Sequence, residues 1–196
     1  MSEARGEATG AVTAGDSAGR TGAVAAGDSV DPTARLVAES TRRGLRIAIA
    51  ESLTGGALAA ELVRIPGASK TLSGAVVAYD TAVKRSVLGV DGALLAREGA
   101  VHAEVASQMA LGVARVLAVE GRPAELAIAT TGVAGPDPQD GRPPGTVFIA
   151  VLAGGEVEVT ALHLDGDRAA IRAATVRAAV AACLVALEKL PDRVAE

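Results

Sequence analysis

Three short segments carry residue types and spacings that can do chemistry. In Glu51-Ser52-Leu53-Thr54-Gly55-Gly56 a hydroxyl stands just ahead of two glycines. A serine there can act as a nucleophile, and the glycines let the backbone approach a ligand closely. Free N–H groups at a following helix start would favour an anion or a developing oxyanion. The same residues also have a purely structural reading, in which Ser52 or Thr54 caps that helix. The segment lacks the lysine of a phosphate-binding P-loop.

A nucleophilic serine needs a base. The chain has two histidines, His102 just ahead of a predicted helix and His163 within an alternating strand, and neither shows a triad pattern with an aspartate. A lysine base with a tyrosine relay is the better option. Tyr79 and Lys84 stand five residues apart across a predicted strand-to-helix junction, a spacing that can aim both at one pocket. Taken alone, Lys84 reads more readily as a solvated surface lysine. Thr131-Gly132-Val133-Ala134-Gly135-Pro136 suits close approach of a ligand or, alternatively, a tight turn. Gly166-Asp167-Arg168 opens the last predicted helix; Arg168 can reach a phosphate there, or simply be solvated beside a capping Asp167.

These segments must be positioned by elements. Asp31-Pro32 starts a helix of about 11 residues that stops near Gly44, because Asp is a good N-cap and Pro fits the first helical turn. Leu45–Ala50 reads as a buried strand, 57–64 as a helix ended by Pro66-Gly67, and Ser73–Tyr79 as the next strand. Asp80 and Asp91 cap two short helices. A long amphipathic helix covers about Ala103–Val119, with Val105, Met109, Val113, Val116 and Leu117 at helical spacing. Leu126–Thr130 is a buried strand. After a loop with four prolines, Val147–Leu152 and Val157–Leu164 form a hairpin around Gly154-Gly155, and a helix follows from about Asp167 to Leu190.

Helices interleaved with buried strands predict an α/β three-layer α/β/α sandwich with a mixed, mostly parallel sheet. Ligands on such sheets bind beyond the carboxyl ends of parallel strands, where 51–56, 79–84 and 131–135 all fall. Residues 1–30 are Gly, Ala, Thr, Ser and Asp-rich and repeat Thr9–Ser17 as Thr21–Ser29 with one change; two copies are too few for a solenoid, and a flexible tail is expected. The folded domain is expected over 31–196.

Composition excludes several classes. With 19 Lys and Arg against 23 Asp and Glu, the net charge of −4 argues against a protein devoted to gripping nucleic-acid phosphates. Tyr79 and Phe148 are the only aromatic residues, too few for a base-stacking platform. The single Cys183 excludes an intramolecular disulfide and a cysteine-based zinc site. The longest apolar run, Ala178–Leu187, is ten residues against the roughly 20 of a membrane span. No secretory signal pattern occurs, so a cytoplasmic protein without membrane contact is expected.

Taken in order, Ala50-Glu51-Ser52-x-Thr54-Gly55-Gly56, Pro66-Gly67-Ala68-Ser69, Tyr79-x4-Lys84, Leu88-Gly89-Val90, Gly99-Ala100-Val101, Thr131–Pro136, Pro144-Gly145-Thr146 and Gly166-Asp167-Arg168 form a set. Over about residues 33–190 this set resembles the CinA C-terminal domain family, whose enzymatic members are nicotinamide-nucleotide amidases. The resemblance implies a three-layer α/β/α fold and hydrolysis of nicotinamide mononucleotide to nicotinate mononucleotide and ammonia. By matching position, Ser52 resembles the nucleophile, Lys84 its base, and Tyr79 a relay or orienting group. Thr54, Gly55, Gly56, Thr131 and Gly132 are expected to line the substrate pocket and Arg168 to meet the phosphate.

No metal or organic cofactor and no nucleic acid are implied. The partners expected are a small nucleotide substrate and, as a homo-oligomer, further copies of the chain. Many members carry a fused molybdopterin-binding-like domain for which about 30 residues leave no room, so a stand-alone form is expected. Departures are Leu53 where members often have Cys, Asp80-Thr81 for Ser-Asn, and His102 for Ser. Asp80 puts a negative charge near Lys84, which raises the lysine pKa and opposes its use as a base. The alternatives are a non-catalytic nucleotide-binding module linked to competence or DNA-damage responses, and an esterase or amidase for another substrate.

Overall fold

The computed structural model describes residues 31–191; the expected flexible tail over 1–30 lies outside the described residues. The elements run α1 (Pro32–Arg42), β1 (Ile47–Glu51), α2 (Ala57–Val63), a 3-10 turn (Ala68–Lys70), β2 (Leu72–Val77), α3 (Thr81–Ser86), α4 (Gly92–Glu98), α5 (Ala103–Val116), β3 (Leu126–Gly132), β4 (Thr146–Ala153), β5 (Glu156–His163) and α6 (Arg168–Lys189). Local chemistry sets most starts. Asp31, Asp80, Asp91 and Asp167 each accept a backbone N–H two or three residues on, as N-cap carboxylates do. His102 caps α5 in the same way, its Nδ1 accepting from Glu104 N at 3.2 Å.

The five strands form one sheet in the order β2-β1-β3-β4-β5. Pairs β1/β2 and β1/β3 are parallel, whereas β3/β4 and β4/β5 are antiparallel. The sheet is therefore mixed in equal parts, not mostly parallel as the sequence suggested. The cause lies between β3 and β4. A parallel return needs a crossover, usually helical, but the four prolines of 133–145 allow no helix, so the chain doubles back.

Alternation along the strands builds two unlike faces. In β1, Ile47 and Ile49 point to one side and Ala48 and Ala50 to the other; Leu126 and Ile128 of β3 repeat this against Ala127 and Ala129. The bulky face meets Leu36 of α1, Leu58 and Leu62 of α2 and Ile171 and Val180 of α6. The alanine face receives α5 through Val105, Met109 and Val113, so the larger side chains on that side come from the helix. Helices thus cover both faces, giving three layers. α5 stops earlier than its periodicity implied, and Val116 is left 47% exposed. α6 is long and apolar enough to cross a membrane by length and composition. Here Ile171, Val176, Ala179, Val180, Cys183 and Leu187 pack it into the core.

The start of α2 lacks a capping side chain, because its N-cap is Gly56 at φ +94. Glu51, the last residue of β1, supplies the acceptor instead. Its wholly buried carboxylate accepts from Gly56 N at 2.9 Å, Leu58 N at 3.1 Å and Ala59 N at 2.9 Å. Charged hydrogen bonds of this kind are the stronger ones, and the negative charge also suits a helix N-terminus. Replacing Glu51 by Gln keeps the shape but turns an N–H donor toward another donor. Glu51→Gln should therefore lose about 2–3 kcal/mol in urea unfolding; a loss under about 0.5 kcal/mol would refute this role for the carboxylate.

Candidate active site

At the carboxyl ends of the parallel strands the structure brings Ser52 and Lys84 together. Ser52 directly follows β1, its N–H held by Thr130 O at 2.9 Å, and is 9% exposed. Lys84 projects from α3 and is only 1% exposed. Its Nζ lies 3.0 Å from Ser52 Oγ, 2.7 Å from Ala78 O and 3.3 Å from Tyr79 O. The surface-lysine reading is thus excluded by burial.

That geometry suits an amine that exchanges one proton. A neutral lysine has two N–H donors and a lone pair. The two carbonyls of the β2–α3 junction take the donors, and the lone pair is left for the Ser52 hydroxyl. Burial lowers the Lys84 pKa from 10.5 to about 8, because the charged form loses its hydration. Asp80 and Asp140 pull the other way, as expected of Asp80 from the sequence, but burial outweighs both. Asp80 is itself tied to the start of α3 by Ala82 N at 2.7 Å.

Tyr79 takes a different part from the relay expected of it. Its ring is 60% exposed, and its hydroxyl accepts from Arg168 Nη2 at 2.7 Å. Only its backbone carbonyl meets Lys84, and among the described residues its phenol bonds neither Lys84 nor Ser52. Arg168 also donates to Gly135 O at 2.8 Å, so it bridges the β2–α3 junction and the loop after β3. Among the described residues no carboxylate pairs with it.

Ser52, Tyr79, Gly132 and Arg168 line a small pocket of about 180 Å³. Thr54, Gly55, Gly56 and Thr131 are not among the residues lining this pocket, and each has another engagement. The Thr54 hydroxyl is buried against Thr130 Oγ1 at 2.8 Å, and Thr131 Oγ1 donates to Ala100 O at 2.7 Å. Gly55 N–H closes a turn onto Ser52 O, and Gly56 N–H is taken by Glu51. The helix-start N–H groups are therefore already satisfied by the carboxylate, and neither Ser52 nor Thr54 is the cap. Gly132 has its own constraint, since a Cβ there would lie 2.5 Å from Thr146 O of β4.

Sequence reasoning missed four residues. Asp137 and Gln139 line the pocket from the proline-rich loop. Asp140, at φ +51, anchors that loop by accepting from Ala100 N at 2.8 Å. Arg172 reaches the backbone of the serine turn. Only Arg172 left a sequence signal, since it lies one helical turn beyond Arg168 on the same face.

Other chemistry is scarce. His163 is exposed at the end of β5, and burial pushes the Cys183 thiol up to about 12. Among the described residues no group of three His, Cys, Asp or Glu could hold a metal ion. A larger apolar hollow of about 670 Å³ lies at the opposite end of the sheet, near Leu45, Leu111 and Leu152, and contains no nucleophile with a base.

Comparison with known proteins bears on the family and the fold. The family model described as CinA C-terminal domain matches residues 31–187. A CinA-like protein of Frankia casuarinae is 46% identical over 152 residues, which is 77% of this chain and 34% of that protein. The chain thus spans about a third of the length of the curated relatives it matches. Among solved structures, a CinA superfamily protein from Klebsiella pneumoniae is 35% identical with a TM-score of 0.75, covering 81% of this chain and 97% of its own. The competence/damage inducible protein CihA from Agrobacterium tumefaciens is 36% identical with a TM-score of 0.73, covering 81% and 94%. With the family model spanning nearly all of the described fold, the chain belongs to the CinA C-terminal domain family.

Proposed function

We propose that this chain hydrolyses the carboxamide of nicotinamide mononucleotide to nicotinate mononucleotide and ammonia through Ser52. The observation that carries the reading is the buried Lys84 Nζ, 3.0 Å from Ser52 Oγ and lowered to a pKa of about 8. An amide is a poor electrophile, so a covalent acyl-enzyme divides a high barrier into two lower ones. Ser52 Oγ attacks the amide carbon while its proton passes to Lys84. The tetrahedral intermediate collapses, the C–N bond breaks, and Lys84 returns the proton to the departing ammonia. Water then attacks the ester with Lys84 again as base, releasing the carboxylate and restoring Ser52.

The choice of substrate rests on family membership together with the pocket. Its volume suits an aromatic carboxamide rather than a whole mononucleotide. The ribose phosphate is then left at the rim, where Arg168 stands without a carboxylate partner among the described residues. A nucleotide-binding module without turnover would have no use for a lysine lowered to about 8, a value that supplies a neutral fraction of base near neutral pH.

Three outcomes test the reading. Ser52→Ala should fold normally yet release ammonia at least roughly a thousandfold more slowly; near-wild-type release would falsify the covalent route. Because the neutral amine is the base, kcat/KM should rise with pH to a plateau above about 8. Asp80→Asn, which keeps a good N-cap, should move that limb to lower pH, and a shift upward would remove Asp80 from the account. The third outcome is thermodynamic. The folded pKa lies below the unfolded one, so the unfolded state binds more protons between about 8 and 10.5 and wild-type stability should gain with pH there. The gain, about 3 kcal/mol relative to Lys84→Met, should be visible as a pH-dependent difference in unfolding free energy; a flat difference would contradict the buried-amine assignment.

A further inference from the structure

The turn that carries Ser52 is gripped from outside by a residue with no part in the chemistry just described. Arg172 lies in the second turn of α6. Its Nε donates to Leu53 O at 3.1 Å and its Nη2 to Thr54 O at 2.6 Å. Among the described residues no carboxylate pairs with this guanidinium, so its charge rests on two backbone carbonyls. Gly55 sits against it, with a Cβ at that position lying 3.6 Å from Nη2.

The peptide geometry then constrains the other side of the turn. The Leu53–Thr54 bond is trans, and in a trans peptide the N–H points opposite to the C=O. Holding Leu53 O toward α6 therefore aims the Thr54 N–H away from α6. Leu53 and Thr54 are 4% and 0% exposed, yet among the described residues nothing accepts from either N–H. Buried N–H groups without an acceptor are rare in folded proteins and call for a partner. These two immediately follow the serine, whereas the N–H groups of Gly56, Leu58 and Ala59 are already consumed by Glu51.

The geometry points to Arg172 as a positioning residue that fixes the Leu53–Thr54 turn so that the N–H of Leu53, which follows Ser52 and lines the pocket, receives the oxyanion of the tetrahedral intermediate. The assignment rests on Ser52 acting as a nucleophile, as proposed above. Arg172 touches no reacting atom; it fixes the turn that carries this donor.

The test compares Arg172→Met, Arg172→Lys and Arg172→Ala with the wild type. Ammonia release from nicotinamide mononucleotide should show kcat reduced by about 100-fold in Arg172→Met, with KM within about twofold and the alkaline-rising pH limb unmoved. Free guanidinium at millimolar concentration should restore part of the Arg172→Ala rate. A purely structural role would lower the melting temperature without that rescue, and unchanged kcat would overturn the assignment.

A second probe separates this assignment from the choice of substrate. An alkyl fluorophosphonate reacts when Ser52 Oγ bonds to phosphorus, fluoride leaves, and the hydroxyl proton passes to Lys84. Its phosphoryl oxygen occupies the oxyanion position. If the wild type labels at Ser52 and Arg172→Met labels about 100-fold more slowly, the assignment holds even where the mononucleotide is not hydrolysed, and only the substrate reading fails. Equal labelling rates, or no labelling of Ser52 in the wild type, would overturn it.

Discussion

A lysine ammonium carried from water into a protein interior loses a large hydration energy, and among the described residues no carboxylate stands within hydrogen-bond distance of Lys84 Nζ to replace it. The protein offers two carbonyls and a serine hydroxyl instead. Such a setting lowers the pKa of the amine, and the ends of β1 and β2 are arranged to maintain it. Ala78 N–H bonds Glu51 O at 2.8 Å, which ties the carbonyl-bearing junction to the strand that delivers Ser52. Asp80 is close enough to oppose the effect yet is fastened to the start of α3, so its charge does not pair directly with the amine.

The unlike faces of the sheet support this end mechanically. Isoleucine and leucine on one side fill the space under α1, α2 and α6, whereas alanine on the other leaves volume for the side chains of α5. α6 therefore lies over the face from which α2 departs, and its first turns can reach the serine turn with Arg168 and Arg172. Across the pocket, the peptide around Ala100 is held at both ends, its N–H by Asp140 and its carbonyl by Thr131. That double hold fixes the proline-rich loop beside the pocket without any regular secondary structure in it.

How much of this the sequence made legible follows from the range of each interaction. Caps were readable because Asp31, Asp80, Asp91 and Asp167 act within three residues of themselves. Strand identities were readable from apolar runs, and Ser52, Tyr79 and Lys84 from ordered motifs. The direction of β4 was not, because it depends on whether a proline-rich loop can complete a crossover. Tertiary choices of rotamer were also hidden. Glu51 looked like part of a ligand loop and proved to be the acceptor for α2; Tyr79 looked like a partner of Lys84 and turned its phenol to Arg168. Thr54 and Thr131 were placed near the substrate by position, but their hydroxyls turn to Thr130 and to Ala100.

The three oxygens around Lys84 Nζ have a consequence for proton traffic. Two of them are carbonyls, which can neither give nor take a proton, and the amine is shut off from bulk water. Among the described residues, the exchangeable partner through which a proton can enter or leave this nitrogen is Ser52 Oγ, or a ligand atom resting beside it. In the hydrolysis proposed above, the lysine would hand the leaving nitrogen one proton for each it takes from the serine, and solvent would enter this exchange when a water molecule takes the place the ammonia has vacated.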